Sequence, residues 1–400
     1  MTSERFRSLA FGLFLALVAA MALPRAQAPQ PVTGVVFEDA NGNGHRDAGE
    51  RGLADVVVSN QREVVRTRAD GAYELAGRGY GVVFVSLPDG FRAVGPFWKP
   101  APSDSAAPIE FALAPHRAPA EFSFIHGSDP HVNPANVDRL RQVRSIVESR
   151  RPEFVLMTGD LVRDSLRVGE EEARGYYDLY LDEIRQFPVP VWNVPGNHDN
   201  FGIERHLSHV SPTHPLYGKA MYRQRVGPNY YSFTYGGIHF VGLDTVDIAD
   251  QWYYGHVDDA QLAWLRADLA AVPADTPIVT FDHIPFLSAV DEMGGYEEGG
   301  PAPTLLKLGD RTVFRHVVSN FPDVLAVMAS RNWPLALGGH FHTRESIRYS
   351  SNVTTRFELA AAITGPTDNP VPAISGITLY RVRNKVIDAG EFIALSGLKP

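Results

Sequence analysis

The sequence predicts an α/β protein with a small all-β sandwich in front of it. Two patterns carry this. From about Pro29 to Ala114 the apolar residues come in short runs, GVVFE, ADVVVS, EVVRTR, GAYELA and YGVVFVSL, split by Asp-Gly and Gly-rich breaks; such runs read as strands joined by tight turns, and a series of them packs as a sandwich. From Glu121 the rhythm changes. FSFIHGSD, FVLMTGD, VPVWNVPGNHD, IHFVGLD, PIVTFDH and LALGGHFH are apolar runs ending in polar residues, and segments with helical spacing, such as ANVDRLRQVRSIVESR and DDAQLAWLRADLAAV, lie between several of them. Strands alternating with helices predict a central sheet sandwiched between helices.

Taken in order, the first element stands outside the fold. Arg5 and Arg7 precede the apolar run LAFGLFLALVAAMAL, and Ala26-Gln27-Ala28 follows it. A positive start, an apolar stretch and an A-x-A site are the parts of a secretory signal peptide, residues 1–28; the alternative is a transmembrane anchor, for which the run is a little short. The arginines are not adjacent, so no twin-arginine signal is expected, and no cysteine follows to carry a lipid. The expected location is the periplasm or the outside of a bacterial cell, with no transmembrane anchor after cleavage.

The small β domain is expected over 29–117. Its first turn, DANGNGHRDAGE, places Asp39, Asn41, Asn43, Asp47 and Glu50 at positions one, three, five, nine and twelve, with Gly44 at six and His45 at seven. That is the spacing of an EF-hand calcium loop, although the flanks read as strands. An Asn/Gly-rich hairpin turn without an ion is the other reading. The polar stretch PAPSDSAAP and the run IEFALAP follow, and APHRAPA marks the boundary to a second domain over 118–400. Its last segment, from about Ser346, returns to strands (TRFELAAAI, SGITLYRV, KVIDAGEFIAL) that should complete a second sheet of the same domain.

Composition narrows the chemistry. The 400 residues are 44% hydrophobic and 21% charged, as in globular proteins, with a formal net charge of −9. No basic patch or tail is present, so a nucleic acid duplex is not an expected partner. The absence of cysteine removes disulfides, thiolate zinc sites and cysteine nucleophiles. Oligomeric state is not legible.

The strand ends form a series: SDPH with Asp129 and His131, TGD with Asp160, PGNHD with Asn197, His198 and Asp199, DH with His283, and GGHFH with His340 and His342. Ligands bind at the carboxyl ends of strands in α/β sheets, and in GGHFH the two histidines, spaced i and i+2, can point to one face. Alone, such a pair is more often surface decoration. Together, imidazoles and carboxylates without sulfur suit first-row divalent ions such as Mn, Fe or Zn. There are too many donors for one ion, and two ions sharing a carboxylate match the arrangement used for displacement at phosphorus.

D-x-H, GD, GNHD, an isolated His and G-H-x-H, in this order over roughly Phe122 to His342, resemble the calcineurin-like metallophosphoesterases. The resemblance implies a four-layer catalytic fold, a β-sandwich flanked by helices. It implies that Asp129, His131 and His342 hold one metal, that Asn197, His283 and His340 hold the other, and that Asp160 bridges them. The nucleophile would be a hydroxide between the ions, and His198 would contact phosphate and protonate the leaving oxygen. Asp199 either orients that ring or caps a helix. Where the purple acid phosphatase branch has tyrosine, GDLVR has Arg163, so a tyrosinate-bound ferric ion is not expected. The calcium-loop turn and TRADGAYEL resemble B-type repeat domains of bacterial surface proteins, and VSLPDGF resembles the N-terminal domain that accompanies some bacterial calcineurin-like enzymes.

The segment after GNHD, with His206, His209, His214, Lys219, Arg223 and Arg225, is expected either to lie over the site and bind substrate or to be an ordinary insertion. Tyr253 and Tyr254 are candidates to stack on a base or sugar, whereas Trp264 is expected in the core. His45, His116, His126, His239, His256 and His316 fit no motif and are read as structural or surface residues. The function expected is an exported dinuclear-metal phosphoesterase acting on small phosphate mono- or diesters. The alternative is a cell-surface binding protein whose metal site is structural or vestigial.

Overall fold

The computed structural model describes residues 30–101, 107–298, 303–350, 354–365 and 374–395. The leader read at 1–28 and part of the PAPSDSAAP stretch lie outside the described residues. The N-terminal unit is built from β1 (Val32–Glu38), β2 (Val57–Ser59), β3 (Val64–Arg66), β4 (Ala72–Leu75), β5 (Val82–Ser86), β6 (Phe91–Ala93), β7 (Trp98–Pro100) and β8 (Ile109–Pro115). They form two four-stranded sheets, in the orders β4-β1-β8-β6 and β3-β2-β5-β7.

The second unit runs β9 (Glu121–Gly127), α1 (Val137–Arg150), β10 (Phe154–Thr158), α2 (Glu170–Ile184), β11 (Val191–Val194), α3 (Arg205–Ser208), α4 (Lys219–Arg225), β12 (Tyr231–Tyr235), β13 (Ile238–Gly242), β14 (Val246–Ala249), β15 (Trp252–Gly255), α5 (Asp259–Leu269), β16 (Pro277–Phe281), α6 (Ala289–Gly294), β17 (Leu305–Leu308), β18 (Arg311–Phe314), α7 (Phe321–Met328), β19 (Asn332–Gly338), β20 (Glu345–Ser350), β21 (Thr354–Leu359), β22 (Gly376–Arg383), β23 (Val386–Ile387) and β24 (Glu391–Ala394). One sheet has the order β11-β10-β9-β22-β23, with β24 also on β22; the other is β12-β13-β16-β19-β21-β20.

The second unit has two facing sheets, the β-sandwich that the resemblance implies, where the strand–helix rhythm alone predicts one central sheet. Strand alternation explains why. Phe124, Phe154, Leu156 and Trp192 share an inner core with the second sheet, whereas Ile125, Val155 and Met157 join the core under α1 and α2. The inner layer is aromatic: Trp192 stacks on Phe233 with centroids 4.1 Å apart, and Phe124 and Phe154 meet Phe240 edge-on at 5.5 and 5.1 Å. Helix α1 supplies Val137, Leu140, Val143 and Val147 from one face. Outside the second sheet, Phe321 of α7 lies 5.6 Å from Phe357 of β21.

The tail departs from expectation. Only β20 and β21 join the second sheet; β22 pairs antiparallel with β9 in the first and carries β23 and β24 with it. Five consecutive buried residues, Gly376–Tyr380, need cover on both faces, and that position beside β9 supplies it.

The two units share a continuous core. Ser86 Oγ lies 2.8 Å from Ser232 Oγ, Ser232 donates to Asp268 at 2.6 Å, and His239 Nε2 lies 2.8 Å from the other oxygen of Asp268. This buried polar chain pins β5 to β12, β13 and α5, and accounts for His239 as a structural residue.

Candidate metal centre

Parallel strands from both sheets end at one place. β9 leads into Asp129 and His131, β10 into Asp160, β11 into Asn197 and His198, β16 into His283, and β19 into His340 and His342. Asp129, Asp160, Asn197 and His283 are buried and form a floor; His131, His198, His340 and His342 are half-buried and form the wall above it. Asp129, His131, Asp160, His340 and His342 all have positive φ, from 43° to 75°. Such a conformation costs about 1–3 kcal/mol per non-glycine residue and persists only where its surroundings enforce it. The sharp reversal turns each side chain back over the strand end it follows.

Three donor groups have ligand atoms within 4.8 Å of one another: Asp129–His131–His342, His131–Asp160–His198, and Asp160–His283–His340. His131 Nε2 and His342 Nε2 face each other at 3.2 Å, with Asp129 Oδ1 3.2 Å from the latter. His283 Nε2 lies 3.2 Å from His340 Nδ1 and 3.1 Å from Asn197 Oδ1. Asp160 Oδ2 stands between the two sets, 3.5 Å from His131 Nε2 and 3.3 Å from His283 Nε2.

This donor set fits two divalent cations. Asp129 Oδ1 is buried without a hydrogen-bond partner, a costly state for a carboxylate oxygen that a cation would relieve. Burial holds the His131 imidazole down at about 4, in the neutral form a metal requires. Burial opposes charge on His283 as well, but the Asp160 carboxylate outweighs it and pushes the ring up to about 10; a cation there would take the place of that proton. Hydrogen bonds fix which nitrogen of each ring faces inward: His131 Nδ1 lies 3.3 Å from the Arg163 carbonyl and His283 Nδ1 lies 2.8 Å from the Thr158 carbonyl. Gly339 lets the GGHFH turn close over the floor, since a β-carbon there would stand 2.0 Å from Ser128 Oγ.

Both readings of Asp199 need correction. Its carboxylate accepts from the backbone N–H groups of Gly196 at 2.7 Å and of Leu161 and Val162 at 3.2 Å. It thus clips the GNHD loop to the GDLV loop, and no helix begins there. Burial and the Asp160 charge push its carboxyl up to about 7. The carboxylate beside His198 is Asp164, whose Oδ1 lies 3.5 Å from His198 Nδ1. Arg167 holds Asp164 at 3.3 Å and is itself held by both oxygens of buried Glu204, at 2.8 and 3.1 Å. Asp164 had a signal in sequence, four residues after Asp160.

His316 had none. Its Nδ1 lies 2.7 Å from His340 Nε2, across a loop that only folding brings near. Tyr253 and Tyr254 are buried, not rim residues. Tyr253 packs edge-on against His340 under the Arg315 guanidinium, and Tyr254 donates to Asp247. Trp264 is buried in the core. The basic side chains after GNHD are engaged elsewhere: His214 with Glu170, Lys219 with Asp244, Arg223 with Asn229, Arg225 with Asp178, and His206 with Gln251. His209 is exposed at the end of α3. Outside the centre, His126 is buried against Thr158 and His256 pairs with Asp247, while His116 lies 3.4 Å from the Tyr235 hydroxyl.

In the 39–50 loop, Asp39 is buried and accepts from the N–H groups of Gly42, Asn43 and Gly44. Asn41 and Asn43 donate side-chain amides to Asp47, Glu50 accepts from the N–H groups of Ala40 and Asp47, and the His45 N–H donates to Asn43. None of these residues belongs to the three donor groups found among the described residues.

Comparison with known proteins agrees with the geometry. The family model for calcineurin-like phosphoesterases matches residues 122–344. A Rhodopseudomonas palustris protein named "Probable cyclic nucleotide phosphodiesterase" is 28% identical over 171 residues, 40% of this chain and 51% of that one. A Rhodococcus erythropolis protein of the same name is 26% identical over 208 residues, 51% of this chain and 56% of that one. The chain spans about half the length of the curated relatives it matches. Among solved structures, a dimetal phosphatase from Danio rerio superposes with a TM-score of 0.45 at 16% identity, covering 68% of this chain and 98% of that one.

Proposed function

The chain belongs to the calcineurin-like phosphoesterase family, and on that premise we propose that it hydrolyses small phosphoesters with two divalent cations. The observation that carries this reading is Asp160 Oδ2, which faces His131 on one side and His283 on the other. Asp129, His131 and His342 would hold one ion, Asn197, His283 and His340 the other, and Asp160 both. The N and O donors suit Mn, Fe or Zn. When bound, the pair would supply Lewis-acid activation of water and neutralise charge on the phosphoryl oxygens.

The chain's own groups supply the rest. His198 stands at the mouth, its ring 4.7 Å from that of His131, and its backbone N–H donates to Asp160 Oδ1 at 2.8 Å. Burial opposes its protonation, but Asp160 and Asp164 together raise its pKa, which suits an imidazole that donates a proton to the leaving oxygen. Asp164 sets its carboxylate 3.5 Å from His198 Nδ1, a nitrogen with no close hydrogen bond to any other group among the described residues. Asp199 holds the loop that presents it.

Two finer parts belong to the same reading. The pattern over 1–28 supports export to the periplasm or beyond; amino-terminal sequencing of the mature protein tests it. No helix among the described residues is long and apolar enough to cross a membrane. The spacing from Asp39 to Glu50 supports a calcium ion in the N-terminal unit.

The deciding experiment strips the protein of metal, restores Mn, Zn or Fe(II), and compares para-nitrophenyl phosphate with bis-para-nitrophenyl phosphate and a cyclic nucleotide, the substrate class in the names of the curated relatives. Metal-dependent turnover is expected, and the preferred ester separates monoesterase from diesterase. No turnover of any ester with both ions bound would favour a binding protein with a structural metal site.

A further inference from the structure

His316 lies on the loop between β18 and α7, twenty-four residues before His340 in sequence. Its Nδ1 is 2.7 Å from His340 Nε2, while the two ring centroids are 5.0 Å apart and the planes differ by 24°. The centroid spacing exceeds the nitrogen spacing by roughly two ring radii, so the rings meet edge to edge, nitrogen to nitrogen, as in an in-plane hydrogen bond. The other nitrogen of His340, Nδ1, faces His283 and the donor group of Asp160. One ring therefore looks into the metal centre with one nitrogen and into His316 with the other.

The seat of His316 is built. The Val318 N–H donates to the Pro285 carbonyl, two residues beyond His283, and the Ser319 N–H donates to the Gly255 carbonyl. Arg315, buried beside it, donates to the Pro303 carbonyl and lies over the rings of Trp252 and Tyr253. Tyr253 in turn packs edge-on against both His340 and His316.

We propose that His316 is a positioning residue for the metal centre: its Nδ1 accepts the Nε2 proton of His340 and so holds His340 Nδ1 unprotonated and aimed at the ion it shares with His283, Asn197 and Asp160. The inference rests on the two-cation reading above. A neutral imidazole has one proton to place, and only the Nε2–H tautomer leaves Nδ1 free to bind a cation. Accepting that proton selects the tautomer, fixes the ring and raises the basicity of Nδ1.

The test is metal uptake, read without substrate. Metal-free wild-type protein is titrated with Mn(II) by calorimetry and by electron paramagnetic resonance, which reports the spin-coupled ion pair. It is compared with His316→Phe, which keeps a ring and loses the acceptor, and His316→Gln, whose amide oxygen can accept. The wild type should take up two ions. The Phe variant should bind one as before and the second about 10–100-fold more weakly, with loss of the coupled signal, and the Gln variant should recover most of both. His316→Ala serves the same comparison if the Phe variant does not fold. Equal affinity of the Phe or Ala variant and the wild type for both ions overturns the proposal, as does a Gln variant no better than the Phe or Ala one. A wild-type protein that takes up fewer than two ions overturns the two-cation reading itself, and this proposal with it. A wild type that binds two ions and hydrolyses no ester leaves the His316 comparison decided by the titration alone.

Discussion

Gly196 lies against Asp160: a β-carbon at Gly196 would stand 2.1 Å from Asp160 Oδ1 and 2.2 Å from the Asp160 backbone nitrogen. Side-chain rotation cannot relieve the second overlap. Gly196→Ala should therefore push the GNHD and GD loops apart, destabilise the protein by about 1–3 kcal/mol and abolish binding of the second ion. Denaturant unfolding and metal analysis check it; a variant with wild-type metal content would show that the loops tolerate the separation.

Asp164 and Asp199 should separate in function. Asp164→Asn is expected to keep both metals and to lower turnover about tenfold or more on esters with poor leaving groups, where proton donation matters most, within the 10²–10⁴-fold range that general-acid catalysis supplies in all. His198→Ala should show the larger loss in the same pattern. Asp199→Asn should instead lower the melting temperature, since its carboxylate accepts three backbone N–H groups. Turnover of Asp164→Asn equal to wild type on every leaving group would remove Asp164 from the mechanism.

Asp247 predicts acid sensitivity away from the metal centre. Burial alone would raise its carboxyl, but His256 at 2.9 Å, the Lys219 ammonium and the Ile248 N–H outweigh it and hold it at about 2. A depressed folded-state value means stability that is complete above the unfolded value of about 4 and lost as pH falls towards 2, about 2 kcal/mol in all. Unfolding free energies measured from pH 5 to pH 2 should fall more steeply for wild type than for Asp247→Asn. Parallel curves would contradict the assignment.

Asp268 joins Ser232 and His239 at the junction of the two units. Asp268→Ala leaves His239 Nε2 buried without its acceptor and Ser232 with Ser86 alone, which should cost about 1–3 kcal/mol. Limited proteolysis should then release the N-terminal unit at protease levels the wild type resists. Unchanged proteolysis and stability would show that the apolar contacts alone hold the junction.

Calcium should raise the melting temperature of the protein, and Asp39→Ala should remove the increment. The Asp39 carboxylate organises the loop by accepting from three successive N–H groups. A calcium-independent melting temperature in the wild type would identify the loop as a turn without an ion.

Local pattern alone was enough to place most strands and the His and Asp residues that follow them, from Asp129 to His342. Each of these is local: a period of apolar residues, a glycine-bearing turn, a histidine or aspartate at the end of a run. Tertiary structure decided the rest. It sent β22 to the first sheet because that strand is buried on both faces, a property set by neighbours far away in the chain. It gave His198 its carboxylate from Asp164 and made Asp199 a clip, because loop curvature decides which of two nearby aspartates reaches the ring. It placed His316 on His340 and buried Tyr253 beneath Arg315, since pairing between loops depends on how both sheets stack, and no spacing along the chain records that distance.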